Sequence, residues 1–166
     1  MKRITGIITA LMLIVVAQAF ATDTTTAGPE RKLEFKRYDS SYFERNDTGL
    51  TTQTSYLVFT SRAQFDKIFG AAPTMGQNHF LPDNTFDTKI VVAAIARGHF
   101  LRKYDDPKVT TTNGMIYVSY KIKDAAQKSA TFASPLILAV DKGEYSEVVF
   151  TENGKRVGAA TFPKPN

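Results

Sequence analysis

Residues 109–123, Val-Thr-Thr-Thr-Asn-Gly-Met-Ile-Tyr-Val-Ser-Tyr-Lys-Ile-Lys, carry the clearest structural instruction in the chain. Asn113-Gly114 lies between two β-prone arms, and this pair accepts the positive φ angles that a two-residue hairpin turn requires. Along the second arm Ile116, Val118, Tyr120 and Ile122 alternate with Tyr117, Ser119 and Lys121. Period-two alternation predicts a strand with one buried and one wet face.

Upstream, Ile90 to Ala96 is continuously apolar, the pattern of a central strand covered on both faces. Lys32 to Tyr38, Tyr56 to Phe59, Leu136 to Val140, Val148 to Phe150 and Arg156 to Thr161 read as further strands, and a second Asn-Gly pair, Asn153-Gly154, turns between the last two. One short helix is expected. Ser61 can cap its first turn while Gln64 returns the bond; Phe65, Ile68 and Phe69 then share a face, and Gly70 stops the run. Asp39 to Thr51, Ala71 to Thr88, Gly98 to Tyr104 and the polar stretch after Lys123 are expected to be irregular. No repeat of solenoid length is present. The sum is an α+β, mostly β domain: a twisted antiparallel sheet forming a sandwich or open barrel with one short helix. An immunoglobulin-like sandwich with the helix as an insertion is the alternative.

The beginning of the chain reads differently. Met1-Lys2-Arg3 is a short positive start, Ile4 to Val16 carries no charge, and Ala17-Gln18-Ala19 and Ala19-Phe20-Ala21 both fit the small-x-small processing rule. Residues 1–21 are therefore expected to be a cleaved signal peptide, 22–31 a flexible leader, and 32–166 a single β-rich domain. The expected location is periplasmic or secreted, with no membrane insertion after cleavage, since the apolar run falls short of the roughly 20 residues a spanning helix needs. Without cysteine, the domain relies on core packing alone. Loss of Lys2 and Arg3 leaves 19 basic against 16 acidic residues, a surplus of three that does not suggest nucleic-acid binding.

Chemistry is sparse. There is no Gly-x-Ser-x-Gly elbow, no phosphate loop and no dinucleotide fingerprint, and the only histidines, His79 and His99, stand apart. Asp105-Asp106 are adjacent in sequence and do not oppose each other as an acid and base must. His79 with Asp83 and Asp87 is a three-residue metal pattern of the kind that arises by accident. The expectation is therefore no catalytic residue, no metal and no cofactor. Asn46-Asp47-Thr48 matches a glycosylation sequon but reads better as turn chemistry. Arg97, Gly98, His99, Phe100, Arg102 and Tyr104 combine aromatic and arginine side chains in an expected loop, the composition of interface anchors, and form the candidate binding site. The competing reading is a loop that plugs the barrel end.

Three stretches between about Tyr56 and Val157 resemble the C-terminal domain family of PrcB, a subunit of a bacterial surface protease complex. Phe59-Thr60-Ser61 through Phe65 and Phe69 is similar to the family's strand-to-helix opening. Phe86-Asp87-Thr88-Lys89-Ile90-Val91-Val92-Ala93 is similar to its acid-led central strand, and Ser134-Pro135-Leu136-Ile137-Leu138-Ala139-Val140 to its proline-led strand. Where the family carries Thr-Gly-Gly-Tyr after the central strand, this chain has Gly98-His99-Phe100. The resemblance implies an accessory role toward an exported protease. The expected function is thus an exported non-catalytic interaction module that associates with or inhibits a protease, its partner being an exported protease or another envelope protein. A carrier holding a small apolar ligand in a barrel-like pocket is the alternative.

Overall fold

The computed structural model describes residues 28–73 and 79–162, the side chains of 126–128 excepted. The expected signal peptide and most of the leader lie outside the described residues. In chain order the strands are β1 (Arg31–Lys32), β2 (Phe35–Arg37), β3 (Tyr42–Glu44) and β4 (Thr54–Phe59), followed by helix α1 (Arg62–Ile68) and β5 (Phe69–Ala71). Helix α2 (Thr85–Thr88), β6 (Lys89–Thr112), β7 (Met115–Asp141), β8 (Glu147–Glu152) and β9 (Lys155–Thr161) complete the chain. The expectation of a mostly β fold with a short helix holds, α2 being a single added turn.

The architecture follows from one long ribbon. β6 and β7 pair antiparallel from Lys89↔Asp141 to Thr112↔Met115, around the Asn113-Gly114 turn. Both turn residues have positive φ, 50° and 71°, as a type I′ turn demands. The register shifts between Gly98 and Arg102, and there the ribbon bends so that its two halves face each other. Tyr104 Oη in one half donates to the Ser134 carbonyl in the other, at 2.9 Å. β1 pairs with β6 at Thr110 and Thr111, whereas β2 pairs with β7 at Leu138 to Val140, so the expected single strand 32–38 becomes a stave joining the two halves. β4 flanks the first half and β8 with β9 the second. The result is an open barrel with one seam, between β4 and β9.

One pairing departs from the antiparallel expectation: β8 runs parallel to the beginning of β7. The bend is the cause. β7 reverses direction across the barrel, so a strand that returns from its end runs alongside its beginning.

The interior is filled by Val92, Ala94, Ile116, Val118, Leu136, Leu138, Phe150 and their neighbours, with Tyr104 and Tyr120 stacked edge to face at 5.1 Å. A second apolar cluster lies outside the first half, where Phe65 of α1, Phe69 of β5, Tyr42, Leu81 and Phe86 cover Val91, Ala93, Ile95, Ile137 and Ala139. Ser61 Oγ accepts from the Gln64 backbone at 3.3 Å as expected, but Gln64 Oε1 accepts from Thr60 N, one residue earlier than a capping box would have it. Gly70 does not cap the helix: Phe69 ends it in extended backbone, and both join β5, paired with β3. The first and last described residues meet at the Asn113-Gly114 end. Gly28 N donates to Asn113 Oδ1 at 2.8 Å, and Phe162 stacks on Tyr145, whose backbone is in the loop following β7.

Candidate functional site

Gly98 to Tyr104 is not a loop. It is the bent middle of β6, paired through Phe100↔Gln127 and Arg102↔Asp124, and the polar stretch after Lys123 is likewise strand, part of β7. Gly98 has φ +153°, a backbone open chiefly to glycine, and no atom lies within 4 Å of where its Cβ would be. The bulges on either side of Phe100 shift the phase of the strand, so neighbouring residues do not alternate faces regularly.

The six candidate residues divide into two groups. Arg97 is bound within the fold. Its Nε donates to Glu44 Oε2 at 2.8 Å, a second short contact joins the same carboxylate, and its other nitrogen donates to the Thr52 carbonyl and Ser55 Oγ at 2.7 and 3.0 Å. This pair fixes β3 to the sheet, and with the Glu44 side chain only 7 % exposed it has structural work that a partner would have to disrupt. Tyr104 is 3 % exposed, and burial pushes its phenol well above the ordinary tyrosine range. Its expected place on a binding surface is corrected: it belongs to the core. Arg102 is half-buried, its Nε 3.0 Å from Asp124 and a second nitrogen 3.4 Å from Glu152, so its charge is neutralised by two carboxylates.

His99 and Phe100 stand out at the corner, Phe100 being 48 % exposed. Leu101 joins them at 40 %. Sequence reasoning missed this residue, and the adjacency of two large apolar side chains inside a basic stretch was the available signal. A shallow hollow of about 320 Å3 between Gln53, Thr54 and the corner residues 96–100 and 102 opens beside Phe100.

The other chemical candidates are engaged elsewhere. Asp83 pairs with Arg62 at 2.9 Å, and among the described residues no cluster of three His, Cys, Asp or Glu could hold a metal ion. Asp105 pairs with Lys123 at 2.9 Å, whose hydrogen bond and charge lower its pKa, and Asp106 lies near Lys108 and Lys121. Thr48 of the sequon donates to Glu44 and accepts from Leu50 N, as a local turn does. Among the described residues no helix is long and apolar enough to cross a membrane. No family model, curated protein or solved structure matches the chain.

Proposed function

We propose that this chain is an exported, non-catalytic interaction module that binds another protein through the corner His99–Leu101. The observation that carries the reading is the exposure of Phe100 and Leu101 side by side on a bent strand, held in place by the Arg97–Glu44 and Arg102–Asp124 pairs beneath. Adjacent apolar side chains on a rigid frame lose little freedom on binding and desolvate well, the physics of an interface anchor. The sequence resemblance supplies the narrower form, in which the partner is an exported protease. A carrier function draws less support, because large side chains such as Tyr104, Tyr120 and Phe150 occupy the barrel interior.

The mature chain, immobilised and exposed to envelope extract, is expected to retain a partner that the Phe100→Ala and Leu101→Ala variants hold at least about fivefold more weakly, the equivalent of about 1 kcal/mol. Both variants should melt within a few degrees of the parent. Retention unchanged by both substitutions would remove the corner from consideration. Protease activity in the captured fraction, and its response to added chain, tests the narrower form.

A further inference from the structure

The barrel's seam has its own chemistry. Among the described residues β4 pairs with β6 on one side only, β9 pairs with β8 on one side only, and no ladder joins β4 to β9. Following the pairings around the barrel, β4 and β9 run in the same direction. They touch where the Tyr56 ring covers Gly158, so closely that a Cβ at 158 would collide with the ring. Beyond that contact, toward Phe59 and Phe162, a groove of about 790 Å3 lies between them. Four consecutive residues of each side, 56–59 and 159–162, line it, and Gln64 of α1 borders it. Consecutive residues face alternate sides of a strand, so the two long walls are the strand edges with their backbone groups, not one face of a sheet.

An exposed edge is normally guarded by charge, proline or a cover. Here Lys155 and Arg156 guard only the beginning of β9, and among the described residues lining the groove none is charged. Tyr56, Val58, Ala160 and Phe162 are partly buried against the interior cluster, so whatever fills the groove extends the barrel core.

We propose that the seam is a docking site for one extended, uncharged segment of a partner protein, which enters as a strand antiparallel to both edges. Two parallel edges with a gap between them fit a single intervening strand of opposite direction, which gains the more stable antiparallel ladder on each side. Uncharged lining selects the occupant: a carboxylate or ammonium placed there would lose water and find no counter-ion. This site is separate from the corner at His99–Leu101, at the other end of the barrel, and does not depend on it.

The probe is the peptide acetyl-Thr-Val-Ser-Val-Thr-Val-amide, followed by hydrogen exchange of the full chain. Saturating peptide is expected to slow exchange at least tenfold at residues 57–59 and 159–161 together, leaving Gly98–Leu101 unchanged. The same peptide N-methylated at alternate residues keeps its side chains but loses the donors toward one of the two edges, and it should bind at least tenfold more weakly. So should a version with glutamate in place of the three valines, and so should the parent peptide toward Ala159→Glu. Protection of neither edge or of one edge alone overturns the proposal, as does equal binding of the N-methylated or glutamate peptide. Edges already protected without peptide would assign the groove to the chain's own residues, or, where protection rises with protein concentration, to a second copy; either result also overturns it.

Discussion

The two halves of the β6–β7 ribbon share one strand pair yet live in different surroundings. In the first half, Ile90 to Ala96 are all no more than 7 % exposed, because the barrel interior lies on one side and α1 with Tyr42 and Leu81 on the other. In the second, Ile116, Val118 and Tyr120 face the same interior, but the outer face carries Lys121 and Lys123 with side chains 70 % and 79 % exposed. The first half is written as an unbroken apolar run and the second as an alternation, as their surroundings require. Length and pairing partner are therefore not what fixes composition along a strand. The number of covered faces is.

If that account is right, substitutions on the outer face should hurt the first half far more than the second. The largest effect is expected at Phe65, fully buried over the first half. Phe65→Ala should cost about 3–5 kcal/mol, the usual range for an aromatic removed from a core, as measured by denaturant unfolding. A loss below about 1 kcal/mol would mean that α1 is a loose cover. The next concerns the turn that begins the second half. Gly114→Val forces a β-branched residue into φ 71° and should cost about 1–2 kcal/mol; an unchanged melting temperature would show that the turn relaxes freely. The smallest is at the second half's outer face. Lys123→Ala removes a 2.9 Å pair with Asp105, yet exposed pairs contribute little, so the change should stay within about 0.5 kcal/mol. A cost comparable to that of Phe65→Ala would erase the distinction between the two halves.

The same contrast explains what could be read from residue order. Strong local signals were legible: the Asn113-Gly114 turn, the alternation through Ile122, the apolar run from Ile90 and the Ser61 cap all act over a few residues. The candidate site was only half legible. His99 and Phe100 are exposed as a surface reading requires, but the bulges around Phe100 interrupt the alternation that would have marked residues 98–104 as strand. Tyr104 looked like a surface aromatic because its hydrogen-bond partner, Ser134, is 30 residues away. The Glu44 partner of Arg97 is more distant still, 53 residues along the chain. The parallel setting of β8 was hidden for a related reason, since it depends on where the ribbon bends and not on anything within β8 itself.

Gly28 and Phe162 lie at the Asn113-Gly114 end of the barrel, and the bent corner lies at the other. A short linker from 162 back to 28 could therefore close the chain into a circle, and new termini could be cut at the exposed turn Asn153-Gly154 between β8 and β9. For work at a sensor surface, attachment at residue 28 or 162 would point Phe100 and Leu101 away from the support. Attachment through a lysine near the corner, such as Lys103, would bury the surface under study.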